Sequence, residues 1–335
     1  MRIIIKNIIA HILYYTGIVY LLERILLKNC CVVLVYHRIT SPEKEDVPVQ
    51  DGMYVRPEVF EKHLRYLKRR YEFISQDKLL SILNNSGSFN KACHITFDDG
   101  WHDNYTNAFP LLRKYHVPAT IFLVTDFIGT SEWFWPEKVL YLLRNISVLD
   151  IKNDISNELK YILKIYGHKE FTREKREQSI ILFLKGQGPQ IQEKVVHDLE
   201  EISNIEIPKN RQLLTWDEVR DMSKNYISFG SHGRTHVILT SLEDMNEIRH
   251  ELIESKSTIE AQTGDTVKCF CYPNGNNSPD IIDIAKECGY SCAFGNINGK
   301  LGYRDILYNL KRIRIHNDIS YNIPMFACRI LFNIF

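Results

Sequence analysis

Two adjacent carboxylates and a glycine close an apolar run in Ala92-Cys93-His94-Ile95-Thr96-Phe97-Asp98-Asp99-Gly100. Neighbouring residues on a strand point to opposite faces, so Asp98 and Asp99 can serve one site only where the strand ends and the chain turns. Gly100 is expected to supply that turn. Such a corner suits a site in which one carboxylate binds a cation and the other stays free as a base. An Asp-Gly pair is equally common as a plain solvated turn. Further along, Ser231-His232-Gly233-Arg234-Thr235-His236 carries two histidines spaced i, i+4. On a helical turn that spacing places both imidazoles on one face, as ligands of one metal require. Two imidazoles and one carboxylate leave coordination positions open for water and substrate, the pattern of a catalytic divalent metal. A bare pair of histidines usually binds nothing, so the elements around them decide.

Those elements alternate. Cys31 to Tyr36 is a continuous, mostly β-branched run that reads as a buried parallel strand, with His37-Arg38 at its end. Further strands are expected at Cys93–Phe97, Ala119–Val124, Ile227–Gly230, Val267–Tyr272, Ser291–Phe294 and Leu310–Ile315. Helices are expected between them at Pro57–Tyr71, Asp77–Leu83, Asn104–Tyr115, Leu214–Tyr226, Leu242–Gln262 and Pro279–Glu287. Strand and helix in alternation argue for a parallel α/β architecture. In a parallel barrel the C-terminal strand ends share one face, and catalytic groups collect there. His37, Asp98-Asp99, His232, His236, Pro273-Asn274-Gly275 and His316 all stand at such ends.

The rhythm breaks at about residues 137–212, which are rich in Lys, Glu, Ile and Leu and read as a helical insertion. Residues 1–30 form an apolar helical segment. Its uninterrupted part, Ile8 to Leu22, is shorter than the roughly 20 residues that cross a bilayer. No small-residue cleavage site follows it. Two readings stay open, an ordinary amphipathic helix packed on the domain and a helix lying on a membrane surface through residues 1–28 with its basic residues towards headgroups, and the second is carried forward. The domain proper is then residues 31–335.

Composition bounds the partners. The 335 residues carry 42 Lys+Arg against 41 Asp+Glu, a net charge of +1, which gives no electrostatic argument for nucleic acid. Hydrophobic residues make up 44%, enough for a real core. Eight cysteines are too few for a disulfide scaffold. Cys269, Cys271, Cys288 and Cys292 lack the paired C-x2-C spacing of structural zinc. Reduced, buried thiols point to a cytoplasmic, peripherally membrane-associated protein, with a periplasmic or cell-envelope location left open.

Thr96-Phe97-Asp98-Asp99-Gly100 followed by Ser231-His232-Gly233-Arg234-Thr235-His236 resembles the NodB-homology polysaccharide deacetylases, carbohydrate esterase family 4. Val33-Leu34-Val35-Tyr36-His37-Arg38 resembles that family's first strand and Phe122-Leu123-Val124 its third. Leu214-Thr215-Trp216-Asp217-Glu218-Val219 resembles the helix before the histidine motif, and Ile313-Arg314-Ile315-His316 the last motif. The resemblance runs from Val32 to His316, most of the insertion excepted. It implies a distorted (β/α) barrel with fewer than eight parallel strands. It implies that Asp99, His232 and His236 hold a divalent metal, Zn2+ most simply, and that Asp98 is the general base. It makes His316 the general acid and puts Asn274 and Tyr272 at the substrate and its oxyanion. The implied reaction removes acetyl groups from N-acetylated sugars of a cell-surface polysaccharide or lipid-linked glycan.

One position departs from the family. Many relatives carry an Arg two residues before the motif proline, holding the base; here Cys271 stands there, as in a branch with a Tyr-Pro pair. Arg38 or Arg312 is the candidate substitute, with His37 beside them. Two other classes stay open: an inactive glycan-binding module of the same fold, and an amidohydrolase on a small cyclic amide. Trp133 and Trp135 suit either a sugar-stacking wall or core packing. His11, His63 and His94 are read as structural.

Overall fold

The computed structural model describes residues 2–85, 87–146, 155–302 and 305–332. The chain forms two compact units: one of Met1–Ser41, Gly52–Thr130 and Leu213–Phe335, the other of Pro42–Asp51 and Ser131–Gln212.

Among the described residues, seven strands close the barrel of the first unit: β1 (Cys31–Tyr36), β2 (Ala92–Phe97), β3 (Ala119–Leu123), β4 (Ile227–Ser231), β5 (Cys269–Cys271), β6 (Cys292–Asn298) and β7 (Leu310–Arg314). All neighbours pair in parallel. β1 lies along β2 from Cys31↔Ala92 to Tyr36↔Phe97, and on its other edge meets β7 at Leu34↔Ile313, so the sheet closes into a barrel. The expected fold, a (β/α) barrel of fewer than eight strands, is the observed one. Every residue of β1, β2 and β3 is buried, which is why these strands read as unbroken apolar runs and not as alternation. Helices Pro57–Lys68, Gln76–Asn84, Phe109–Tyr115, Trp216–Ser223, Met245–Thr263 and Pro279–Glu287 connect them. Thr215 caps Trp216–Ser223 through a reciprocal capping box with Glu218. The helix expected at Asn104–Tyr115 opens as a π-turn over Asn104–Ala108.

The structural histidines take the roles expected of them. His94 sits between the Ile74 carbonyl (2.9 Å) and Thr120 Oγ1 (3.1 Å), and His63 stacks 3.8 Å from the Phe326 ring. Beyond β7 the chain ends in helices Asn317–Ser320 and Ile323–Leu331.

The second unit has its own core. Helices Trp135–Asn145, Asn157–Tyr166, Arg173–Lys185 and Pro189–Ser203 bury Leu140, Leu143, Ile162, Ile180, Leu184 and Leu199 together. Residues 147–154 of the expected insertion lie outside the described residues. Trp133 is buried with its indole N–H on the Asn210 carbonyl, and Trp135 packs on the helical core, so both belong to packing within this unit.

Candidate active site

The corner after β2 brings the paired carboxylates to one place. The turn starts earlier than the glycine: Asp99 itself has φ 75° and Gly100 φ 79°. Asp tolerates the left-handed region better than most non-glycine residues. At Gly100 a side chain is also excluded by space, since a Cβ there would lie 2.8 Å from Leu123 Cδ2. Two left-handed residues in succession turn the Asp99 carboxylate away from the course of Asp98, so each enters a different set of partners.

Asp99 faces the histidines. Its Oδ1 lies 3.4 Å from His232 Nε2 and 3.3 Å from His236 Nε2, and its Oδ2 accepts from Trp101 Nε1 at 2.8 Å. His232 donates from Nδ1 to the Cys271 carbonyl at 2.7 Å. A carbonyl only accepts, so Nδ1 donates there and Nε2 is the nitrogen turned to Asp99, the one on which a cation would replace a proton. Ligands about 2.0–2.1 Å from a tetrahedral cation stand roughly 3.4 Å apart. The Asp99 and histidine atoms already have that spacing and that chemistry. Burial alone would push the Asp99 carboxyl up; hydrogen bonds from His232 and His236 outweigh it and hold the group well below the ordinary range.

The i, i+4 histidines do not lie on a helical turn. The segment from His232 to Ile238 is irregular, with Gly233 at φ 82° and His236 at φ 66°. A buried carboxylate shapes it. Glu251 Oε2, from helix Met245–Thr263, accepts the backbone N–H of Arg234 at 2.7 Å and of Thr235 at 2.9 Å, while Oε1 takes the Thr235 hydroxyl at 2.9 Å. A Cβ on Gly233 would stand 3.2 Å from the same Glu251 Oε2. Glu251 occupies the inward stripe Ile248, Glu251, Leu252, Ser255, Ile259 of its helix. A carboxylate on a mostly apolar stripe is the one signal of this role that the sequence carries, and Glu251 is absent from the expected site residues.

Asp98 belongs to a different network. Arg312, on β7, grips it in a bidentate pair, Nη1 to Oδ1 at 2.7 Å and Nη2 to Oδ2 at 2.8 Å. Both partners are buried. Burial would raise the Asp98 carboxyl; the Arg312 guanidinium, then His232, more than offset it, and the group sits below its usual range. Arg312 Nη2 also reaches Cys271 Sγ at 3.0 Å, and that thiol lies 3.6 Å from Asp98 Oδ2. So Arg312 supplies from β7 the cation that the family pattern places at position 271. Arg38 is engaged elsewhere, with its Nε bound to Asp103 Oδ2 at 2.8 Å and its guanidinium over the Trp101 ring. His37 Nε2 is 3.9 Å from Asp98 Oδ2, and burial lowers the pKa of its imidazole.

Among the described residues, two groups of side chains are close enough to share one ion: Asp99, His232 and His236, and Asp98, His232 and Cys271. The second already contains the positive charge of Arg312, which spans Asp98 and the Cys271 thiol. Its histidine spends Nδ1 on the Cys271 carbonyl. The first set offers two imidazole Nε2 atoms and a carboxylate oxygen without an arginine between them.

The remaining expected residues divide. His316 follows β7, two residues past its end, and holds Asp318 Oδ2 through Nδ1 at 3.1 Å, a histidine–carboxylate pair after the strand's C-terminal end. Asn274 is exposed at φ 57° in the turn after β5, its amide on Asn276 Oδ1. Tyr272 lies deeper in the barrel. It is fully buried, its hydroxyl donates to the Tyr308 carbonyl at 3.1 Å, and its backbone N–H donates to the Phe294 carbonyl at 3.1 Å. Both donors are spent within the barrel, so Tyr272 has none for an oxyanion. All eight cysteines are free thiols.

Residues 87–293 match the profile of the polysaccharide deacetylase family. The chain belongs to that family. The solved deacetylase PplD of Streptococcus pyogenes, in complex with acetate, superposes with a TM-score of 0.59 at 20% identity, over 90% of this chain and 98% of that one. IcaB of Ammonifex degensii gives the same TM-score at 16% identity, over 91% and 98%. Among curated relatives, the poly-beta-1,6-N-acetyl-D-glucosamine N-deacetylase of Staphylococcus epidermidis is 24% identical over 221 residues, 61% of this chain and 72% of that protein. The chain is thus a carbohydrate deacetylase, a hydrolase related to the poly-β-1,6-N-acetylglucosamine deacetylases. The match leaves β1 and β7 outside, and with them His37, Arg312 and His316.

Proposed function

We propose that this enzyme is a metal-dependent N-deacetylase acting on N-acetylated sugars of a cell-surface polysaccharide or lipid-linked glycan. The observation that carries the metal is the convergence of Asp99 Oδ1 on two histidine Nε2 atoms at 3.3 and 3.4 Å, with the neighbouring Asp98 held apart by Arg312. A donor set of two imidazoles and one carboxylate with open positions is one that holds a catalytic Zn2+. A cation held there by Asp99, His232 and His236 would lower the pKa of water and polarise the acetyl oxygen.

The chain's own residues supply the rest. Asp98 accepts a proton from the attacking water. Its low pKa makes it a weak base, but keeps it wholly ionised at neutral pH and fixed in direction. His316, oriented by Asp318, gives a proton to the departing amine, leaving acetate and a free amino sugar. Two adjacent carboxylates are needed because one cannot be both a fixed ligand and a free base. The N-acetyl preference rests on the relatives' named substrate.

The test is acetate release from β-1,6- and β-1,4-linked N-acetylglucosamine oligomers and from lipid-linked N-acetyl sugars. Wild type should release acetate, and Asp98→Asn and His232→Ala should each lose about 10²-fold or more. Wild-type rates in both variants would sink the reading.

A further inference from the structure

Two helices precede the barrel, Arg2–Tyr15 and Ile18–Leu26, and they are amphipathic in the wrong sense for a soluble protein. Their inward side carries polar groups beside the buried Ala10 and Val19. Glu23 is fully buried, accepting from the hydroxyls of Tyr66 and Tyr71 (2.9 Å to the latter) and from Arg70 Nη1 at 3.1 Å, with Lys91 Nζ 3.9 Å away. Asn7 Oδ1 accepts from Asn322 Nδ2 at 3.0 Å, beside helix Ile323–Leu331. Their apolar side faces out. Ile8 and Ile12 are 55% and 56% exposed, followed by Tyr15 at 76%. On the second helix Ile18, Leu21 and Ile25 form an i, i+3, i+7 stripe, Ile25 being 63% exposed. A charge buried inward fixes this orientation: turning the second helix over would strand Glu23 away from these partners and cost more than hiding the isoleucines gains.

We propose that this pair is a platform that seats the enzyme on the interface of an anionic bilayer without crossing it. The first helix has 14 residues and is about 21 Å long, short of the roughly 30 Å hydrocarbon layer. The two helices meet at a bend of 81°. Among the described residues no single helix is long and apolar enough to span. Charge selects the occupant. Residues 1–28 carry four basic side chains, Arg2, Lys6, Arg24 and Lys28, and one acid, Glu23, which is turned inward. Exposed Arg24 and Lys28 border the apolar stripe, and Tyr15 and Tyr20 stand near the bend, where amphipathic rings meet headgroups. A second copy of this face would bring the same cations together. The inference goes beyond the deacetylase reading and does not depend on it.

The experiment is flotation of the full chain with vesicles of phosphatidylcholine, with and without phosphatidylglycerol. The variants are Ile8→Glu/Ile12→Glu, Ile25→Glu and, as a control on the second unit, Leu182→Glu. Wild type should float with the anionic vesicles and be stripped by alkaline carbonate. The Ile8→Glu/Ile12→Glu pair and Ile25→Glu should each lose about tenfold or more in partition, and Leu182→Glu should not change. Unchanged circular dichroism and unchanged acetate release from a soluble oligomer show that the variants are folded. Wild type that fails to float overturns the proposal. So does a dimer in sedimentation that Ile8→Glu/Ile12→Glu dissolves without any vesicle binding. Resistance to carbonate overturns the interfacial geometry in favour of a span.

Discussion

Replacing Arg312 with Gln probes how this chain compensates for the missing family arginine. The substitution removes a bidentate partner, both arms within 2.8 Å, from a carboxylate that is 3% exposed. Breaking a buried pair by deleting one member costs about 3–5 kcal/mol, because the other charge is left uncompensated. The loss depends on pH, and the sign can be worked out. In the native protein the Asp98 pKa is below its ordinary value near 3.8, so the stability from the pair is fully present above that value and lost only in stronger acid. Without Arg312 the burial that raises the group is no longer opposed, and the folded pKa moves above the unfolded one. The variant then gains nothing from ionisation. Its deficit against wild type opens in acid below about pH 4, as the wild-type pair ionises, and widens further until the pH passes the new pKa. Urea unfolding at a series of pH values measures this. The double variant Arg312→Gln/Asp98→Asn removes both charges and should be less destabilised than the sum of the single variants by about 2 kcal/mol or more. In catalysis, the acid limb of kcat/KM should move upward in Arg312→Gln, with a drop of about 10²-fold at neutral pH from a base no longer held in place. Additive stabilities within about 0.5 kcal/mol, together with an unmoved acid limb, would refute the assignment of Arg312 as the residue that holds Asp98.

Three further outcomes follow from the same geometry. Glu251→Ala should weaken zinc affinity about 10–100-fold, measured by competition with a chromogenic chelator, because the loop between His232 and His236 loses the acceptor of its two N–H groups and one hydroxyl. Gly100→Ala combines a φ of 79° with a contact 2.8 Å from Leu123 Cδ2 and should cost about 1–3 kcal/mol in a urea titration. Dialysis against a strong chelator should abolish acetate release in wild type and zinc should restore it; Asp98→Asn should stay inactive under both treatments, since its defect is the base and not the ion.

The barrel was legible because its strands are buried on both faces: β1 appears in the sequence over the residues it occupies in the fold. Strand ends then named Asp98, Asp99, His232, His236 and His316 without any knowledge of pairing. Less legible was what holds these residues, since the holders come from other parts of the chain. Glu251 reaches the histidine loop from 16 residues away and Arg312 reaches Asp98 from 214. The histidine spacing suggested a helical turn, and the geometry comes instead from two left-handed residues and a buried carboxylate. Tyr272 lay in a motif at a strand end, and only the barrel shows that both its donors are spent. The N-terminal segment read as apolar almost all round; that its polar side faces the barrel depends on Tyr66, Arg70 and Tyr71, which lie 43, 47 and 48 positions beyond Glu23.

The central claim, that Asp99 with His232 and His236 holds the ion while Asp98 and Cys271 do not, is tested most directly by metal content in two variants. Asn tolerates the left-handed backbone at position 99, so Asp99→Asn keeps the turn while removing the charged ligand. Purified wild type and Cys271→Ser should each carry one zinc per chain, and Asp99→Asn should carry little. Full metal in Asp99→Asn with loss of metal in Cys271→Ser would place the ion in the other set and contradict the account.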